Sequence, residues 1–120
     1  MSNILIVDDS KTSRKFIRNL LESKEFTVIG EAENGIEGVE MYQKLKPDLV
    51  LMDVTMPLLD GIDALREIRQ IDKDAKVIMV TAAGQKSNIM EALRLGAVDY
   101  IQKPFDEEQL AEAIKRGLYD

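Results

Sequence analysis

Five short apolar runs, at residues 4–7, 26–32, 49–52, 77–80 and 98–101, alternate along the chain with longer segments whose apolar residues recur every three or four positions. Short runs without polar alternation predict parallel strands covered on both faces, and the periodic segments between them predict amphipathic helices. The second run carries Thr27 and Glu31 among its apolar residues and reads as an edge strand. The predicted helices present Phe16, Ile17, Leu20 and Leu21; Ile36, Val39 and Tyr42; Ile62, Leu65 and Ile68; Ile89 and Leu93; and Leu110, Ile114 and Leu118 as apolar faces. Five strands joined to five helices by right-handed crossovers make an α/β fold. The punctuation agrees, with Pro47-Asp48 before the third strand, Asp60-Gly61 opening the third helix, Gly96 closing the fourth, and Pro104 and Asp106 opening the fifth.

Four of the five runs stop on a polar residue: Asp8-Asp9, Asp53, Thr81 and Lys103. In open α/β sheets ligands bind beyond the carboxyl ends of the strands, so these side chains are predicted to converge on one edge. Taken singly, each has an ordinary explanation. Asp9 or Ser10 could cap a helix, Asp53 could form a turn before Pro57, Lys103 could be a solvated cation and Thr81 a strand-end hydroxyl. All four at one sheet edge are better explained by a site.

The chain's 120 residues predict a single domain, 1–120, with no output domain, and 45% apolar with 32% charged residues marks an ordinary globule. A net charge of −6 argues against nucleic acid as the direct partner and for a metal cation or a basic protein patch. With neither Cys nor His in the chain, thiolate zinc sites and imidazole bases are excluded. The first apolar run is too short for a signal peptide or membrane span, which predicts a cytoplasmic protein without membrane attachment.

Two carboxylates ~4 Å apart repel by ~4 kcal/mol at an effective dielectric of 20, so Asp8, Asp9 and Asp53 together call for a cation. A small set of oxygen ligands selects a hard ion such as Mg²⁺, which keeps coordination open to phosphate oxygens. With Lys103 the three carboxylates and the ion sum to neutrality, and an acyl phosphate would add only about one further negative charge. The set fits phosphoryl transfer to an aspartate. Asp53, alone on its strand, is the expected acceptor, and Asp8-Asp9 resembles a metal clamp.

These motifs, Ile-Leu-Ile-Val-Asp8-Asp9-Ser, Leu-Met-Asp53-Val-Thr-Met56-Pro57-Leu-Leu-Asp60-Gly61, Val-Thr81-Ala82 and Asp-Tyr100-Ile-Gln-Lys103-Pro104-Phe105, resemble the receiver domain of two-component response regulators, from Ile4 to the last helix. The resemblance implies a flavodoxin-like, doubly wound (βα)5 three-layer sandwich with strand order 2-1-3-4-5. It implies Asp53 as the phosphorylation site, with Asp9, Asp53 and the backbone carbonyl of Thr55 as direct Mg²⁺ ligands and Asp8 holding the ion through water. Lys103 resembles the lysine that contacts the phosphoryl group, Thr81 the hydroxyl that moves toward it, and Tyr100 the aromatic rotamer switch, although plain strand packing also explains Tyr100. The bond before Pro104 is cis in the family, while the sequence alone equally allows a proline in the first turn of a helix. Thr55 and Ala83 stand where the family tunes the lifetime of the adduct.

Lys11, Arg14, Lys15 and Arg18 recur at helical spacing opposite the apolar face of the first helix, either as a solvated face or as the surface that meets a sensor histidine kinase or histidine phosphotransfer domain. Lys86, Arg94, Tyr100, Lys115 and Arg116 would lie on the output face. The stretches Thr-Ala-Ala-Gly84-Gln85 and Asp-Val-Thr-Met-Pro resemble chemotaxis-type, CheY-like members, which implies a monomeric phosphoacceptor acting at the flagellar motor switch, with a phosphatase as a further partner. Its only catalysis would be its own phosphoryl transfer and dephosphorylation. A phosphorelay intermediate or the receiver of a larger regulator is the alternative within the class. A haloacid-dehalogenase-type phosphatase is the alternative outside it, though no aspartate stands two residues beyond Asp53; a flavodoxin-like nucleotide binder would want a Gly-rich loop after the first strand.

Overall fold

The structure is a computed structural model that describes residues 2–82 and 84–119, with Lys86 described in its backbone alone. The chain runs β1 (Ser2–Val7), α1 (Lys11–Glu22), β2 (Phe26–Ala32), α2 (Gly35–Leu45), β3 (Leu49–Asp53), α3 (Gly61–Ile71), β4 (Val77–Thr81), α4 (Lys86–Arg94), β5 (Asp99–Gln102) and α5 (Glu107–Tyr119). All strands pair in parallel in the order β2-β1-β3-β4-β5, the doubly wound arrangement the resemblance implies. β2 is an edge strand, as its Thr27 and Glu31 predict. Among the described residues no helix is long and apolar enough to cross a membrane.

Alternate residues of each strand face opposite sides of the sheet, and this divides the interior in two. Leu5, Val7, Val50, Met52, Val77 and Met79 pack under α2 and α3 with Val39, Tyr42, Leu65 and Ile68. Ile4, Ile6, Leu49, Leu51, Ile78 and Val80 pack under α1 and α5 with Ile17, Leu21, Leu110 and Ile114. Central strands buried on both faces explain why their sequences are continuous apolar runs.

The helix punctuation has physical partners. Ser10, Asn34 and Asp60 cap α1, α2 and α3, each side chain accepting from the backbone N–H three residues on. Asp106 accepts from the Gln109 N–H while Gln109 returns a side-chain oxygen to the Asp106 N–H, a reciprocal box that opens α5. Gly96, at φ +104, ends the α4 region, where the Gly96 and Ala97 N–H groups satisfy the carbonyls of Leu93 and Ala92. The Lys103–Pro104 bond is cis, and α5 begins at Glu107, so Pro104 lies before its first turn.

Four positions predicted to be covered lie outside the core. Leu93 is 42% exposed because α4 meets the sheet through the small Ala92, and Leu93 is one residue, or about 100°, further round the helix. Phe16 is 49% exposed and lies against Phe105, ring centroids 6.0 Å apart, at the junction of α1 with the segment before α5. Ile36 stands exposed in the first turn of α2. Val98, placed in the fifth run, precedes β5 and is likewise exposed.

Candidate functional site

The topology brings the ends of β1, β3, β4 and β5 to one edge of the sheet, and with them Asp8-Asp9, Asp53, Thr81 and Lys103. Asp8, Asp9 and Asp53 each offer a carboxylate oxygen, and these three atoms lie within 4.8 Å of one another. Their adjacency follows from β1 pairing directly with β3, Val7 opposite Met52, although more than forty residues separate them in sequence.

Asp8 is 1% exposed and carries most of the local hydrogen bonds. Its Oδ1 accepts from the Ser10 N–H at 2.9 Å, and its Oδ2 from the Ser13 hydroxyl at 2.6 Å and from Lys103 Nζ at 3.4 Å. Asp9 remains exposed at the mouth. Asp53 ends β3 beneath the β3–α3 loop, and that loop folds back tightly. A Cβ on Gly61 would stand 1.9 Å from the Asp53 carbonyl oxygen, so only glycine permits this approach, which the Gly61 N–H fixes by donating to the Val54 carbonyl at 2.8 Å.

Burial raises the Asp53 pKa to about 6, helped by the charge of Asp8 and to a lesser degree Asp9, while Lys103 and the Val54 N–H pull the other way. A carboxylate so pushed marks a place where negative charge lacks compensation, and a divalent cation among three carboxylate oxygens would supply it. The donor set, hard oxygens in small number with one ligand exposed to solvent, fits Mg²⁺.

Thr81 is fully buried, and its Oγ1 has no hydrogen-bond partner. An orphaned buried hydroxyl is costly, by about 1–3 kcal/mol, and is accounted for if it serves a ligand that comes and goes. Thr55 is exposed, and its Oγ1 accepts from Gln85 Nε2 at 2.8 Å. Tyr100 lies on β5 opposite Met79, partly exposed and away from the carboxylates. Ala83, the second position that the resemblance ties to adduct lifetime, lies outside the described residues, as does the side chain of Lys86.

The basic face predicted on α1 is split. Lys11 and Lys15 are exposed, whereas Arg14 is 7% exposed and shares a buried stripe with Ile17 and Leu21. Its Nη1 donates to the Asp8 carbonyl at 2.6 Å, and its Nε pairs with Glu31 at 3.0 Å. Arg18 Nε reaches the other Glu31 oxygen at 2.6 Å. The cause is physical: the edge strand carries a carboxylate across from the helix, and Arg14 buries its stem to reach it. Of the four basic residues, Lys11, Lys15 and part of Arg18 remain at the surface. Of the residues expected on an output face, Arg94 pairs with Glu91 and Arg116 with Asp99.

Sequence reasoning missed Ser13 and Gln85 as neighbours of the site, and read Arg14 as part of an exposed basic face, where the structure buries it. Ser13, three residues after the cap Ser10, had a visible signal, since the first turn of a capped helix faces back toward the strand end. Gln85 had none, because loops carry no period.

Comparison with known proteins agrees with this geometry. Residues 4–115 match the response regulator receiver domain. The chain is 50% identical over 115 residues to the chemotaxis protein CheY of Bacillus subtilis (strain 168), covering 96% of each. It is 48% identical over 118 residues to protein CcdB of the same organism, covering 98% of each. Among solved structures, a chain of the CheX-CheY-BeF3-Mg+2 complex from Borrelia burgdorferi matches with a TM-score of 0.94 at 35% identity, covering 99% of this chain and 90% of that one. The chain belongs to the receiver domain family of response regulators, the phosphorelay components of two-component signalling, and groups with its chemotaxis-type, CheY-like members.

Proposed function

We propose that Asp53 accepts a phosphoryl group from the phosphohistidine of a sensor kinase or histidine phosphotransfer domain, and that the adduct switches binding to an output protein. The observation that carries this reading is the meeting of three carboxylates within 4.8 Å, one of them held at a raised pKa of about 6. Asp8, Asp9, Asp53 and the Thr55 carbonyl would hold Mg²⁺, which when bound supplies positive charge for the phosphoryl oxygens.

The chain's own groups do the rest. An ionised Asp53 oxygen bonds to phosphorus as the bond from phosphorus to the donor nitrogen breaks, and that electron pair leaves with the imidazole. Lys103, already against Asp8, offers its ammonium to the equatorial oxygens, and the buried Thr81 hydroxyl gains in the adduct the partner it otherwise lacks. Hydrolysis reverses the capture. Water attacks phosphorus, the bond to the Asp53 oxygen breaks, and carboxylate and inorganic phosphate result. Thr55 is neither acid nor base at neutral pH, so no side chain at that position activates the water.

Movement of Thr81 toward the adduct would bias a pre-existing equilibrium at α4, β5 and α5, with Tyr100 as the aromatic that changes rotamer. The output partner in this reading is a flagellar motor switch protein in the cytoplasm, and a phosphatase is a further partner class. The test is incubation with Mg²⁺ and acetyl phosphate followed by intact-mass analysis. Wild type should gain one phosphoryl group and Asp53→Asn none; an unmodified wild type, or equal modification of the variant, contradicts the reading. Pull-down of motor switch protein should then succeed only with the phosphorylated chain, and equal capture in both states would point to relay.

A further inference from the structure

Beyond the acceptor and its cation ligands, Gln85 joins the loop that follows β3, two residues past Asp53, to the loop that follows β4. Its carboxamide uses both ends: Oε1 accepts from the Ala82 N–H at 2.7 Å, and Nε2 donates to Thr55 Oγ1 at 2.8 Å. These contacts tie the segment after β4 to the segment after β3. Although Gln85 occupies the position just before α4, its side chain makes no capping bond to that helix.

The direction of the Ala82 N–H follows from the ladder. In β4 the Val80 carbonyl accepts from the Val54 N–H on the β3 side, and the Thr81 carbonyl accepts from the Lys103 N–H on the β5 side. Strand alternation turns the next donor, on Ala82, back toward β3, the strand that ends in Asp53. The Ala82 N–H is thus the first donor beyond the sheet on the acceptor's side, and in the unmodified protein Gln85 occupies it.

We propose that Gln85 is a positioning residue that holds the unphosphorylated state: its side chain occupies the Ala82 N–H and the Thr55 hydroxyl, and a phosphoryl group on Asp53 must displace it. This rests on Asp53 being the phosphoryl acceptor. An adduct adds equatorial oxygens that need donors, and a backbone N–H on the β3 side is one it can take only from Gln85. Because Gln85 immediately precedes α4, its release frees the start of that helix, which links the chemical event to the output side of the fold. The bridge is exposed, so its effect is modest and kinetic.

The experiment pairs amide exchange with phosphorylation kinetics. Wild type, Gln85→Met, which keeps the side chain's bulk, Thr55→Val and the double variant are compared for exchange of the Ala82 amide before modification, and for the rate of mass gain from acetyl phosphate with Mg²⁺. In Gln85→Met, Ala82 exchange should quicken and the phosphorylation rate should rise about fivefold, the factor corresponding to one net neutral hydrogen bond. Thr55→Val should give part of that gain, and the double variant no more than Gln85→Met alone, because the two residues act through one bridge. Unchanged Ala82 exchange, a rate within twofold of wild type, or fully additive gains would overturn the bridge while leaving Asp53 as acceptor. No mass gain in wild type would overturn the acceptor reading itself, and with it the coupling to Gln85.

Discussion

The two ends of the sheet both gather carboxylates and treat them oppositely. At the amino-terminal end, Asp48 accepts from the Asn3 N–H, and Asp72 accepts from the Tyr42 hydroxyl at 2.7 Å and the Asp74 N–H at 2.9 Å. Those bonds hold the Asp72 pKa below its ordinary value, the Tyr42 hydroxyl first among them. At the carboxyl-terminal end, Asp53 is buried beside Asp8 and Asp9 and pushed up to about 6. One end spends its donors on its acids and is complete as built. The other leaves acid and hydroxyl without sufficient partners, the arrangement of a site that waits for ligands.

The carboxyl-terminal end depends most on Arg14. Replacing it with Met removes the donor to the Asp8 carbonyl and leaves Glu31 with Arg18 alone, which should cost about 2–3 kcal/mol in urea unfolding. A cost under 0.5 kcal/mol would show that the Asp8 turn holds itself.

Asp53→Asn should stabilise the protein. The folded-state pKa of Asp53 is raised from 3.8 to about 6, so its contribution is intact below about pH 4 and lost as the pH rises through about 6. Without divalent cation, the variant should gain on wild type by about 1–2 kcal/mol between pH 4 and 7.5, the shift being discounted for partial exposure. No pH-dependent gap would mean that Asp53 is not under strain from its neighbours.

Asp72→Asn should do the reverse and least. With its folded pKa lowered, Asp72 stabilises above its ordinary 3.8 and loses that contribution as the pH falls through the lowered value. The variant should therefore lose slightly at neutral pH, the loss vanishing in acid, with phosphorylation unaltered. Slower mass gain from acetyl phosphate would argue against the independence of the two ends.

Much of this was legible in the sequence, for a physical reason. Strand and helix periods report burial, so the runs that end in Asp8, Asp53, Thr81 and Lys103 located both the sheet and the polar edge. What periodicity cannot report is which polar group across a gap will claim a side chain. Arg14 read as part of a charged helix face, yet Glu31 on the edge strand draws it under cover. Leu93 and Phe16 read as core because a helical wheel does not say how wide the sheet beneath it is. Gln85 was invisible because its two partners lie on separate loops.

The most direct test of the central claim, that the carboxyl-terminal acids are arranged around a cation, is Mg²⁺-dependent thermal unfolding of wild type at pH 7.5 and pH 5. Mg²⁺ at about ten times its dissociation constant should stabilise by about 1.4 kcal/mol at pH 7.5, and clearly less at pH 5, where protons compete for Asp53. The same stabilisation at both pH values, or none at either, would contradict it.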